Sequence, residues 1–201
     1  MSLEHLIIPG WHGSGQDHWQ SHWQARLPTS RRTRVRDWQL PDREDWIEAL
    51  HHLVSTSTAD RVILIAHSLG CVTVAHWARR HGQQWAHRVA GALLVAPADV
   101  ERDTAPAALR GFAPVPMEPL PFRSILIGSS NDRAASAARA EHFAEEWGSD
   151  FELLEGVGHI NVASGHHRWD EGRRYLRRLT AERPAMPTVP RITPSAVSQA
   201  Y

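Results

Sequence analysis

The chain has 201 residues, 42% of them hydrophobic, which is enough for one sizeable core and argues against a second domain. Its 22 basic and 22 acidic residues cancel, so no net field favours nucleic acid or an anionic membrane. All the basic residues are arginine; without lysine, Schiff-base chemistry, a pyridoxal-phosphate anchor and a P-loop are excluded. The single cysteine, Cys71, cannot close an intrachain disulfide. No basic-then-apolar signal follows Met1, and no apolar run approaches the roughly 20 residues that span a bilayer. A reduced, cytoplasmic protein without membrane association is the expectation.

Residues 3–9 form a short apolar strand that breaks at Pro9-Gly10-Trp11-His12-Gly13-Ser14-Gly15 and leads into a helix from about 16 to 26. The spacing of Gly10, Gly13 and Gly15 does not fit a dinucleotide fingerprint. Glycines that let backbone approach a substrate suit an N–H donor instead, with the Trp11 N–H as the candidate and a plain turn as the alternative. On the helix, Trp19 and Trp23 share one face, and His18 and His22 share another. That histidine spacing can bind zinc, but the intervening glutamate and a third ligand are missing, so packed or solvated histidines are expected and no metal. The basic cluster at 31–34 leads into Val35–Leu40, whose mixed character predicts an exposed edge strand; an anion site is the sharper alternative. Asp42 caps the next helix, in which Trp46, Ile47, Leu50, Leu53 and Val54 are spaced for one buried face.

Arg61–Gly70 then runs from an apolar strand through Ala66-His67-Ser68-Leu69-Gly70 into a helical pattern. Ser68 stands at the apex of a strand-turn-helix similar to the nucleophile elbow of α/β-hydrolases, G-x-S-x-G, with alanine in the first glycine position. Such a turn would direct the Leu69 N–H at the reacting centre, where a helix N-terminus adds positive potential. An ordinary serine N-cap is the alternative. The helix is expected to stop near Arg79-Arg80-His81-Gly82, and Cys71 within it reads as a small buried thiol. Residues 89–99 form the next strand, ending at Asp99. Residues 100–123 carry five prolines and leave room for one short helix, too little for a large lid. A strand at 124–128, a helix at 133–147, a short strand at 151–154 and a loop at Gly156–Asn161 follow. A helix at 168–179 with an outward arginine stripe closes the domain, 1–180. Segment 181–201, with prolines at 184, 187, 190 and 194, is expected to be extended or disordered.

Six alternations of strand and helix predict an α/β fold, with an about six-stranded, mostly parallel sheet covered on both faces and chemistry at the carboxyl ends of its strands. Ser68, Asp132 and His159 follow the third, fifth and sixth strands. A serine hydroxyl needs an imidazole to take its proton, and the imidazole needs an acid to fix its tautomer. Asp99, also at a strand end, competes with Asp132 for that place.

Taken together, Pro9-Gly10-Trp11, Gln16-Asp17-His18-Trp19-Gln20, Asp37-Trp38, Ala66–Cys71, Ala96–Asp99, Ser130-Asn131-Asp132 and Gly158–Asn161 resemble the small serine hydrolases typified by retinoblastoma-binding protein 9 and its bacterial relatives. The resemblance covers about residues 3–180. It implies a single-domain α/β-hydrolase fold without a large cap, a Ser68-Asp132-His159 triad, and esterase or peptidase-like activity. Arg133-Ala134-Ala135 departs from the proline and aromatic residue that the family leads one to expect there. The expected protein is a cofactor-free hydrolase of a small ester or amide, monomeric or homodimeric. Leu69 and Trp11 N–H groups would hold the oxyanion, with Trp11 and His12 lining the pocket. A non-catalytic binding protein on the same fold and an acyltransferase with the same triad are the alternatives.

Overall fold

The computed structural model describes residues 2–180, and in it the strand at Arg61–His67 is the centre of the sheet. In chain order the strands are β1 (Leu3–Ile8), β2 (Ser30–Arg32), β3 (Arg61–His67), β4 (Val89–Val95), β5 (Ser124–Ser129) and β6 (Asp150–Leu154). They form one sheet in the order β2-β1-β3-β4-β5-β6, and every pairing is parallel. The expected "mostly parallel" sheet is therefore wholly parallel.

Alternation along β3 explains why both faces are covered. Val62, Leu64 and Ala66 join a core beneath the helices α2 (Arg43–Ser55), α3 (Leu69–Trp85) and α4 (Ala137–Trp147), while Ile63 and Ile65 join a second core beneath α1 (Trp19–Gln24) and α5 (Arg173–Thr180). All five side chains are fully buried. At about 1.5–3 kcal/mol for each large one, burial on two sides fixes this strand more firmly than any edge strand can be fixed. The chain runs outward from β1 to β2 and, after β3, in the other direction, so the order reverses between β1 and β3. The loops leaving those two strands flank that switch point, where α/β sheets hold their ligands.

Several boundaries differ from the sequence reading. The edge strand is Ser30–Arg32, and residues 35–40 form a loop instead of the expected strand. The Asp37 carboxylate accepts the Gln39 and Leu40 N–H groups at 2.6 and 3.1 Å, turning the chain locally. The Trp38 and Gln39 carbonyls meanwhile accept from the His12 N–H and the Trp11 indole, wrapping this loop around the one after β1. Helix α1 begins only at Trp19, because His18 caps it by accepting the Gln20 N–H. Helix α3 runs through the expected stop at Gly82 to Trp85, and α4 starts at Ala137 behind the Ser136 cap. Before α5, residues 170–172 form a short 3-10 turn. As expected, Asp42 caps α2, and between 100 and 123 there is one short helical segment, Ala107–Phe112. No helix among the described residues is long and apolar enough to cross a membrane. The expected tail at 181–201, and with it the boundary at 180, lies outside the described residues.

Candidate active site

Ser68 occupies a turn that no ordinary helix cap adopts. Its φ of 54° and ψ of −121° lie in the left-handed half of backbone space, and its side chain makes no capping bond. Such a conformation costs on the order of 1–3 kcal/mol in a non-glycine residue and persists only where surrounding packing enforces it. The enforcement is visible on both sides. The Ser68 N–H donates to the Val95 carbonyl at 3.0 Å. A Cβ at Gly70 would run into the Ile8 carbonyl and come within 2.7 Å of the Pro9 carbonyl, so the helix can start this close to β1 only with glycine there. At Gly10, a Cβ would stand 2.7 Å from the Ser68 Cβ and 3.3 Å from its Oγ; the loop after β1 thus leaves no room for a side chain beside the serine.

The other two side chains arrive from the ends of β5 and β6. His159 Nε2 lies 2.9 Å from Ser68 Oγ, and His159 Nδ1 lies 2.7 Å from Asp132 Oδ2. An ionised carboxylate only accepts, so Nδ1 carries the ring proton and Nε2 accepts from the serine hydroxyl. Asp132 is buried, its side chain 3% exposed, and its second oxygen accepts the Ala134 N–H at 2.7 Å. Asp99 is elsewhere: its carboxylate faces Arg139 Nε at 3.4 Å. A hydroxyl, an imidazole and a buried carboxylate in series can move a proton off the hydroxyl and stabilise the resulting imidazolium. The N–H groups of Trp11 and Leu69 have no hydrogen-bond partner among the described residues, which leaves both able to donate to a ligand. His12 is exposed, has a φ of 68° and stacks on the Trp11 ring at 4.0 Å between centroids; it borders a cleft of about 430 Å³.

The segment that carries His159 is held by residues to which the sequence reading gave no role. His67 donates from Nε2 to the His159 carbonyl at 2.9 Å, and the Trp19 indole donates to the Ile160 carbonyl at 2.8 Å. Ile160 is a fully buried β-branched residue with a φ of 46°, so two clamps on consecutive carbonyls hold a strained backbone in place. From the β5 side, Asn131 Oδ1 accepts the Gly158 N–H at 2.6 Å and the Ser129 hydroxyl at 3.0 Å, while the Ser130 hydroxyl accepts the Gly156 N–H. Ser130-Asn131-Asp132 therefore ties the two loops together through three side chains.

Three histidines stand in file behind the serine. His18 packs on His67, and His67 on His159, each pair with centroids 4.8 Å apart. Burial above all, and then the charges of Arg32 and His159, push His18 down to about 4. Burial, then His159 and His18, push His67 well below its ordinary value. Both are neutral at pH 7, which spares His159 two like charges. Neither His18 nor His22 has the company a metal needs: no group of three or more histidine, cysteine or carboxylate side chains that could hold an ion occurs among the described residues. Cys71 is buried, and burial pushes its thiol up, away from reactivity.

A wholly parallel sheet with helices on both faces and a strained serine turn at the switch point defines an α/β hydrolase. The chain belongs to the serine hydrolase family, whose model matches residues 5–178. Among solved structures it is similar to a protein described as a YdeN-like hydrolase from Pectobacterium atrosepticum, at 32% identity over 89% of this chain and 90% of that one, with a TM-score of 0.77. It shares its fold with the ydeN gene product of B. subtilis, at 16% identity over 89% and 98% of the two chains and a TM-score of 0.70. It shares it also with a thermophilic esterase from Thermogutta terrifontis, at 16% identity over 90% and 92% and a TM-score of 0.62. No match was found among curated proteins.

Proposed function

We propose that the chain hydrolyses small carboxylic esters or amides through an acyl-enzyme on Ser68, with His159 as general base and acid and Asp132 as its orienting carboxylate. The observation that carries this reading is the unbroken series from Ser68 Oγ to His159 Nε2 at 2.9 Å and from His159 Nδ1 to Asp132 at 2.7 Å, set on the strained turn. As Oγ attacks the carbonyl carbon, its proton passes to His159 Nε2, and the carbonyl oxygen takes the negative charge. The Leu69 and Trp11 N–H groups receive that oxyanion; one such donor is worth about 100- to 1000-fold in rate. Collapse breaks the bond to the leaving group, which leaves with the proton from Nε2. Water then attacks the acyl-serine by the same route, its proton going to His159 and back to Ser68 Oγ as the acid departs. The reading asks for no cofactor and takes the substrate to be a small molecule that reaches the serine beside His12 and Trp11.

A burst experiment tests it. With 4-nitrophenyl acetate, the wild type is expected to release about one equivalent of nitrophenol per active site before the steady state, provided that deacylation is the slower step, and Ser68→Ala is expected to lose both the burst and the turnover. Turnover by Ser68→Ala within twofold of wild type would overturn the assignment.

A further inference from the structure

Four of the six residues from Arg31 to Arg36 are arginine, and they divide into two kinds. Arg31 is neutralised by Glu4 at 3.0 Å and Arg36 by Asp45 at 3.1 Å. Arg32, the last residue of β2, and Arg34, just beyond it, form no ion pair among the described residues. Arg32 is half-buried and fixed by neutral oxygens alone: Gln24 Oε1 at 2.9 Å, the Ser14 carbonyl at 2.7 Å and Ser21 Oγ at 2.8 Å. Burial lowers its pKa, and no carboxylate offsets the cost. A part-buried guanidinium without a counter-charge is expensive, and a bound anion would remove the expense.

Both arginines line the cleft of about 430 Å³ that His12 borders, together with Thr33, Trp38 and the Gly13–Gly15 backbone; no carboxylate lines it. The cleft lies at the carboxyl end of β2, on the side of the sheet where Ser68 sits. In the order β2-β1-β3 it is two strand spacings from the serine, roughly 10 Å at about 4.8 Å each. The loop after β1 bridges the distance, passing close to Ser68 at Gly10 and bordering the cleft at His12. A larger cleft of about 650 Å³ at the outer edge of β2 shares both arginines, but it includes the already neutralised Arg31 and no residue of that loop.

We infer that this cleft is an anion subsite of the active site, and that the substrate is an ester or amide carrying a carboxylate or phosphate-type group roughly 10 Å from the scissile carbonyl. Arg34 supplies the accessible charge and Arg32 a fixed positive floor with N–H groups still free to donate. The inference rests on the hydrolase reading of Ser68 and deepens it by naming the class of substrate.

The test compares the mono-4-nitrophenyl ester of suberic acid with its methyl-capped counterpart, and with the phosphonate analogue of the same chain length. Wild type is expected to favour the charged esters over the capped one by about tenfold or more in kcat/KM, with the margin shrinking in 0.5 M sodium chloride. In Arg34→Gln that ratio is expected to fall towards one, and the better of the two charged esters identifies carboxylate or phosphate as the group read. A wild type that prefers the capped ester, or an Arg34→Gln ratio equal to the wild-type one, would overturn the subsite while leaving the Ser68 reading intact. Calorimetric titration of Ser68→Ala with monomethyl suberate, with and without Arg34→Gln, measures the subsite independently of turnover. Binding that depends on Arg34, together with a wild type that hydrolyses neither ester, would support the anion site and defeat the hydrolase reading; absent binding would defeat the site.

Discussion

Replacing Trp19 by phenylalanine keeps most of the ring and removes one N–H, the donor to the Ile160 carbonyl at 2.8 Å. Both residues are fully buried, so water cannot replace the lost partner. Leaving a buried carbonyl unsatisfied costs about 1–3 kcal/mol, and the space vacated by the five-membered ring adds about 1 kcal/mol. The expected loss of stability is therefore about 2–4 kcal/mol. Activity should fall for a separate reason. The indole is one of two clamps on the strained backbone at 159–160, and relaxing Ile160 from its φ of 46° carries the His159 ring away from Ser68. A displacement of about 1 Å at a reacting group costs on the order of 100-fold in rate. Trp23→Phe is the matched control: it also loses a buried indole's hydrogen bond, to the Arg168 carbonyl at 3.0 Å, but that carbonyl lies nine residues beyond His159. Urea denaturation and steady-state kinetics on 4-nitrophenyl acetate should give similar stability losses for the two variants. The fall in kcat, with KM little changed, should appear only in Trp19→Phe. Equal kcat for the two, or a Trp19→Phe kcat within twofold of wild type, would refute the clamp.

Gly10→Ala should leave the protein folded but slow, since the new methyl meets Ser68 Cβ at 2.7 Å and the strained turn has no other place to put the hydroxyl; a kcat loss of about 100-fold or more is expected, with overpacking costing about 1–3 kcal/mol. Unchanged kcat would show that the loop after β1 does not crowd the serine. Asp132→Asn should lower kcat by about 1000- to 10,000-fold through the wrong imidazole tautomer, whereas Asp99→Asn should change it less than threefold; the reverse order would make Asp99 the acid. Stability should decline in acid: between pH 6.5 and 4 the unfolded chain takes up a proton at His18 that the folded chain refuses, so the contribution is complete above pH 6.5 and is lost as pH falls towards about 4. By pH 4.5 His18 alone accounts for about 2–3 kcal/mol, and urea midpoints at pH 7 and 4.5 should lie closer together in His18→Gln than in wild type. A wider separation in the variant would contradict the burial argument.

Where an element rests on its own apolar run, the sequence reveals it. β3, β4 and β5 are built around runs of Val, Ile, Leu and Ala that only glycine interrupts, and the side chains that the structure brings together at Ser68, Asp132 and His159 each follow a strand. β2 has no such run. Its three residues, Ser30-Arg31-Arg32, are strand only because β1 offers an edge, and because Arg31 reaches Glu4 and the Thr29 hydroxyl reaches the Leu3 carbonyl at 2.6 Å. Helix α3 passes Gly82 because tertiary packing against Pro121 outweighs the local stop signal. The roles of His67 and Trp19 were hidden for a different reason: their partners are backbone carbonyls 92 and 141 residues away, which no local pattern encodes. Only the juxtaposition of His67 with Ser68, and of Trp19 with a glycine-rich loop, hinted that either residue lay near the site.

One hydroxyl, on Ser68, is proposed to carry the chemistry. Treatment of the intact protein with a fluorophosphonate, followed by peptide mass spectrometry, asks this directly. A single phosphonyl adduct is expected on the peptide containing His67-Ser68-Leu69, absent from Ser68→Ala and slowed by at least 100-fold in His159→Gln. An adduct on another residue, or equal labelling of wild type and Ser68→Ala, would contradict it.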